Sequence, residues 1–258
     1  MKVLDVQGLT KNFGGLAAVN NLDFQVQDGE ILSLIGPNGA GKSTVFNLIT
    51  AYLKPTRGSI RFGERELTRL KTHQIARLGV VRTFQETNVY REMTALQNVL
   101  VAHHLQCQAG DWGQFFNTGK ARQDGRRIHE KALALLEYFG LSEYKDDVTS
   151  NLPHGQLRAL EIAIALAAEP KLLLLDEPFT GMNPEETDRL VGMVRGIRDR
   201  GVTIILVEHD MRAVMTISDR IVAINFGKKI AEGKPEQIQH DGKVIEAYLG
   251  RTDEGAGS

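Results

Sequence analysis

Three short apolar runs punctuate the chain: Ile31–Ile35, Leu172–Leu175 and Val202–Val207, each bounded by Gly, Pro or charged residues. Runs of this length and character predict strands buried on both faces, as in a parallel sheet with helices packed around it. Each is followed by a polar or Gly-containing turn, which is where such sheets place their ligands. Lys2–Val6 and Phe24–Val26 predict an antiparallel β-region, with further strand character at Ser59–Phe62. From about Thr87 to Ser150 no such run occurs. There Ile128, Leu133, Leu135, Leu136 and Phe139 fall at helical spacing, and the segment predicts a mainly helical insert. Within it, Gln106–Gln123 is rich in Gly, Asn and Gln and predicts an exposed loop. Arg251–Ser258 predicts a disordered tail. No internal repeat or low-complexity tract is visible.

Composition narrows the possibilities. With 258 residues, 42% of them hydrophobic, the chain can bury a full core as one large domain or one domain with a subdomain. A charged fraction of 24% and a formal net charge of -1 exclude a basic nucleic-acid coat and an acidic tail protein. The lone cysteine, Cys107, rules out an intrachain disulfide and fits a reducing compartment. No signal peptide is expected at Met1–Asp5. No apolar run approaches the roughly 18–20 residues of a membrane span, so any membrane link is expected to pass through partner proteins. The His and Cys spacings match no zinc site. His103-His104 is expected to be a solvated pair.

Two segments carry chemistry on their own. Gly36-Pro37-Asn38-Gly39-Ala40-Gly41-Lys42-Ser43-Thr44 fits the phosphate-loop pattern G-x-x-x-x-G-K-[ST], with a buried strand before it and a helix expected through Val45–Ile49. Glycines let the backbone wrap closely around phosphates, and the helix N-terminus adds its positive dipole end. Lys42 is expected to bind the β- and γ-phosphates and the Ser43 hydroxyl to ligate Mg²⁺. Leu172-Leu-Leu-Leu-Asp176-Glu177-Pro178 ends an apolar strand in two carboxylates, which is costly unless a cation or hydrogen bonds satisfy them. Asp176 is expected to hold Mg²⁺, through water, and Glu177 to polarise the attacking water as general base.

Further segments resemble one family. Between those sites, Leu152-Pro153-His154-Gly155-Gln156 and the helical stretch Leu157–Ala168 resemble the signature segment of ABC ATPases, usually Leu-Ser-Gly-Gly-Gln. Gln85, in Arg82-Thr83-Phe84-Gln85, is similar to the family's Q-loop glutamine, counted among both the catalytic and the Mg²⁺-binding residues. Asn183 falls at the D-loop position, His209 at the switch histidine, and Phe13 where the family stacks an aromatic on adenine. Taken alone, Gln85 and His209 would read as solvated side chains and Phe13 as core; their joint order along nearly the whole chain carries the resemblance. It implies a P-loop NTPase of α/β class with a mixed central sheet, an antiparallel β-subdomain and a helical subdomain. The catalytic core and β-subdomain would comprise 1–86 and 151–250, the helical subdomain and loop 87–150, and the tail 251–258, all within one ABC ATPase domain.

The same resemblance implies ATP and Mg²⁺ as cofactors and a second ABC ATPase chain as partner, in a homo- or heterodimer. Two such domains would close head-to-tail, each site joining one chain's phosphate loop to the other's signature helix. Transmembrane permease subunits and, indirectly, a solute-binding protein would complete the machine at the cytoplasmic face of a membrane, with no nucleic acid involved. Pro153 and His154 depart from the usual Ser-Gly, so the backbone N–H groups of Gly155 and Gln156 are expected to keep the γ-phosphate contact. Asn183 replaces the more usual acid. Gly181–Thr187, Gly79–Gln85, Arg91–Thr94, Val207–Met211 and Val244–Gly250 are similar to ATP-binding subunits of branched-chain amino-acid importers, and the long loop at Gln106–Gln123 to the longer of their two chains. Urea and amide importers and lipopolysaccharide exporters share parts of this pattern. A soluble ABC ATPase acting on ribosomes or DNA, or a nucleotide-binding scaffold without catalysis, stands as an alternative outside transport.

Overall fold

The computed structural model describes residues 1–83, 89–106 and 119–249. Two long antiparallel strands open the chain, β1 (Lys2–Phe13) and β2 (Leu16–Gln27), followed by β3 (Ile31–Ile35) and α1 (Lys42–Ile49). Next come β4 (Arg57–Phe62), β5 (Arg65–Glu66), α2 (Thr72–Arg77) and β6 (Val80–Arg82). The middle of the chain gives α3 (Ala95–Gln106), α4 (Gly119–Tyr138) and α5 (His154–Ala167). Then β7 (Leu172–Asp176), α6 (Pro184–Asp199), β8 (Thr203–Val207) and α7 (Met211–Ile217) alternate. The described chain ends with β9 (Arg220–Asn225), β10 (Lys228–Gly233), α8 (Pro235–Gln239) and α9 (Gly242–Leu249).

The three apolar runs are the interior of a mixed sheet ordered β10-β9-β3-β8-β7-β6. Its strands are parallel except β10, which runs antiparallel to β9. Every residue of β3, β7 and β8 is buried, as expected of strands covered on both faces. Side chains alternate between two cores. Leu173, Leu175, Ile204 and Leu206 pack with residues of α3–α6 such as Val99, Leu160 and Leu190. Leu172, Leu174, Ile205 and Val207 pack with α1 and with Leu4, Val6 and Phe24 of the second sheet. Each fully buried side chain of this kind stabilises the fold by about 1.5–3 kcal/mol. The second sheet is antiparallel, ordered β2-β1-β4-β5.

Three expectations are corrected. The strand expected at Lys2–Val6 continues to Phe13, because it pairs with β2 out to Leu16 through several register shifts. His103 is buried, not solvated: it continues the Ala95–Val99 row, four residues apart each time, on the face of α3 turned toward the core. The loop expected over Gln106–Gln123 is helical at its far end, since α4 begins at Gly119 and residues 120–123 are helix-forming types. The remainder of that segment, residues 107–118, and the expected tail lie outside the described residues. Among the described residues no helix is long and apolar enough to cross a membrane.

Candidate active site

The chemistry gathers at the C-terminal ends of β3, β7 and β8. β3 delivers the chain into Gly36–Gly41, and α1 starts at Lys42 with no side chain capping its N-terminus. The loop sits tight against its neighbours. A Cβ at Gly36 would stand 2.2 Å from the Ile224 carbonyl oxygen, and one at Gly41, where φ is +105°, 2.4 Å from the Ala18 oxygen. Only glycine fits such an approach. Lys42 is 8% exposed, and its Nζ donates to the Gly36 and Pro37 carbonyls at 2.6 and 3.1 Å, which holds the ammonium inside the loop. Burial lowers its pKa, while Glu177 and Asp176 act in the opposite direction. Ser43, in the first turn, is exposed.

Asp176 closes β7 and is 4% exposed. Its backbone N–H donates to Thr83 Oγ1 at 3.3 Å. Its Oδ2 accepts from Arg82 at 2.6 Å, and Arg82 also donates to Asn47 Oδ1 at 2.6 Å and lies over the Phe46 ring. Arg82 therefore joins β6, α1 and β7 at one point, a role the sequence reading missed. Burial pushes the Asp176 carboxyl up, against the pull of Arg82. Asp176 Oδ1 is buried with no hydrogen-bond partner among the described residues.

Glu177 adopts a left-handed backbone, φ +50°, uncommon for a residue with a Cβ and costing on the order of 1 kcal/mol. Its N–H donates to Val207 O at 2.8 Å, continuing the β7–β8 ladder by one rung. His209 follows β8, and its Nδ1 lies 3.9 Å from Glu177 Oε2. Glu208, between them, is fully buried. Its oxygens accept from the N–H groups of Phe179, His209 and Asp210 at 2.8, 2.8 and 3.3 Å. Burial raises its pKa and those three N–H groups counteract the rise. Glu208 was also missed, although a charge directly after a buried strand is the signal that singled out Asp176 and Glu177.

The remaining expected residues fall in two other places. Phe13 closes β1, 47% exposed, with the Lys11 ammonium 5.2 Å from its ring centre. It belongs to the β1–β2 hairpin whose second strand meets the phosphate loop at Ala18. Pro153 is the N-cap of α5, so His154, Gly155 and Gln156 form an uncapped first turn. The His154 ring lies against Gly181, and Gly155 against the Glu186 carboxylate. Asn183 caps α6 in a reciprocal box: its side chain accepts from Glu186 N at 2.9 Å, and Glu186 accepts from Asn183 N at 3.1 Å. Gln85 lies outside the described residues.

A largely parallel sheet, a tight glycine loop holding a buried lysine, and two carboxylates ending another inner strand define a P-loop nucleotide-binding domain. Comparison with known proteins makes this specific. The family described as ABC transporter matches residues 19–180, and that described as branched-chain amino acid ATP-binding cassette transporter matches residues 228–254. The high-affinity branched-chain amino acid transport ATP-binding protein BraF of Pseudomonas aeruginosa is 46% identical over 249 residues, covering 96% of this chain and 98% of BraF. Its counterpart LivG of Escherichia coli is 47% identical over 249 residues, 96% and 98% of the two chains. A crystal structure of the ADP conformation of an ATP-binding cassette of an ABC transporter is 31% identical, with a TM-score of 0.85 over 97% of this chain and all of that one. The chain belongs to the ABC transporter ATP-binding family.

Proposed function

We propose that this chain is the Mg²⁺-dependent ATP-hydrolysing subunit of an ABC importer for branched-chain amino acids. The observation that carries the substrate class is the 46–47% identity, over nearly the whole chain, to two proteins named for that transport. The match at residues 228–254 supports it. In this reading residues 1–86 and 151–250 make up the catalytic core with its β-subdomain, and 87–150 the mainly helical subdomain and loop.

Phe13 stacks on adenine. The backbone of Gly36–Gly41 and the first turn of α1, through Lys42, Ser43 and Thr44, take the phosphates. The residues present suit the metal: Asp176 Oδ1 is a buried carboxylate oxygen with no hydrogen-bond partner among the described residues, and Ser43, a hydroxyl residue, is exposed, a donor set fit for a hard cation. Gln85 would complete that set. Mg²⁺, when bound, neutralises charge developing on the phosphate oxygens. Glu177 takes the proton of the attacking water, and His209, facing it from the next strand, steadies the γ-phosphate end of the site. The first turn of α5, residues 154–156 behind Pro153, is offered to the ATP of a second ATPase chain, with Asn183 at the same contact. Permease subunits receive the resulting motion, and a solute-binding protein feeds them; the chain is thereby peripheral at the cytoplasmic face of the membrane.

The test is uptake of labelled leucine by cells that depend on this chain, as wild type and as Glu177→Gln, with unlabelled valine and urea as competitors. Uptake that needs Glu177 and is competed by valine bears out the reading. Leucine uptake independent of the chain overturns the substrate class, and competition by urea alone reassigns it to urea or amides.

A further inference from the structure

Glu177 and His209 face each other at 3.9 Å, too far for a hydrogen bond between them. Their separation is therefore set by the loops that carry them and not by their own contact. Those loops leave adjacent strands, whose ladder ends with Glu177 N–H on Val207 O. Past that rung, the Glu208 side chain spans the gap. Glu208 Oε1 accepts from Phe179 N, two residues after Glu177, at 2.8 Å. Its Oε2 accepts from His209 N at 2.8 Å and Asp210 N at 3.3 Å. The His209 Nδ1 also stands 3.6 Å from that Oε2. A carboxylate is suited to this place because it is acceptor-only on both oxygens, and donors face it from both loops.

We propose that Glu208 is a positioning residue for ATP hydrolysis, holding the loop of His209 at a fixed distance from the loop of Glu177. It rests on the reading of Glu177 and His209 as members of the hydrolytic site, and it acts through His209 without touching nucleotide or metal. Glu208→Gln preserves shape but turns an NH₂ toward one of the two loops, donor against donor, and pushes that loop away.

The test is a double-mutant cycle on the purified transporter assembly, comparing wild type, Glu208→Gln, His209→Ala and the double variant. Single-turnover ATP hydrolysis resolves the residual rates of the His209 variant, fluorescent-nucleotide titration gives Kd, and thermal unfolding controls for fold. Glu208→Gln is expected to slow hydrolysis about ten-fold or more, with nucleotide Kd within about two-fold of wild type. In the His209→Ala background the same change is expected to cost less than about two-fold, because the group it positions is gone. An unchanged rate, or an equal cost in both backgrounds, overturns the proposal. Should the amide variant fail to fold, Glu208→Asp, which retracts the carboxylate, is run through the same cycle with the same two outcomes. Hydrolysis that is insensitive to Glu177→Gln overturns instead the functional reading beneath it; Glu177-dependent hydrolysis with additive effects overturns this proposal alone.

Discussion

Replacing Arg82 by Met keeps an unbranched, largely apolar stem but removes the guanidinium that faces Asp176 and lies over the Phe46 ring. Both side chains of this pair are almost entirely shielded from water, and the guanidinium is 2.6 Å from Oδ2. Breaking a buried pair by removing one partner costs about 3–5 kcal/mol, because the other charge is left uncompensated. The bond to Asn47 is lost as well. For a chain of this size each kcal/mol moves the melting point by about 2–4 °C, so a drop on the order of 10 °C is expected at about pH 7.5. The pH dependence has a definite sign. Burial already holds the Asp176 carboxyl above its ordinary value, with Arg82 pulling it down. A raised carboxyl stabilises the fold most below its unfolded pKa, and that contribution is lost as pH rises through the folded value. Without Arg82 the folded value climbs further, and the carboxyl protonates more readily in the folded state. The penalty of Arg82→Met is thus expected to be full at about pH 7.5 and to shrink toward about pH 5. Calorimetry or urea unfolding at both pH values reads it. A variant within a degree or two of wild type at neutral pH, or a penalty that grows on acidification, would refute the reasoning.

Three further outcomes are expected. Phe13→Ala should weaken ATP binding by about 1–3 kcal/mol, the range of aromatic–base stacking, with little change in melting temperature because the ring is half exposed; fluorescent-nucleotide titration reads both the loss and its dependence on the base. Gly41→Ala should abolish nucleotide binding, since its Cβ would fall 2.4 Å from a main-chain oxygen and the loop must move; retained binding by calorimetry would count against the tight-loop account. Asn183→Ala should destabilise the fold by about 1 kcal/mol in urea titration through loss of the α6 cap, whereas Asn183→Asp should remain within a few tenths.

Much of the sheet was legible because its inner strands are short, apolar and flanked by breakers. β3, β7 and β8 fall on the three runs, displaced by a residue at most. β9 went unread although its buried apolar run, Ile221–Ile224, is as long as the Leu172–Leu175 run that revealed β7. His103 was misjudged because adjacent histidines look solvated as a pair, whereas a helix sends neighbours to different faces. Within the site, the phosphate loop and the acidic strand end were legible from residue type and spacing. The partners Arg82 and Glu208 were not. Their work is to satisfy other residues, and sequence spacing does not reveal that β6 lies beside β7 or that the Phe179 amide faces the end of β8.

The seating of the His154 ring against Gly181 has an evolutionary consequence. The imidazole fills space directly above a glycine in the left-handed region, where an added Cβ would stand 3.0 Å from Cε1. Neither position is free to drift alone. A bulkier residue at 181 would evict the ring, and a smaller one at 154 would leave a void that a side chain at 181 could reclaim. Related chains that carry a side chain at the position of Gly181 are therefore expected to carry a small residue at that of His154, so that the two positions are inherited as a pair.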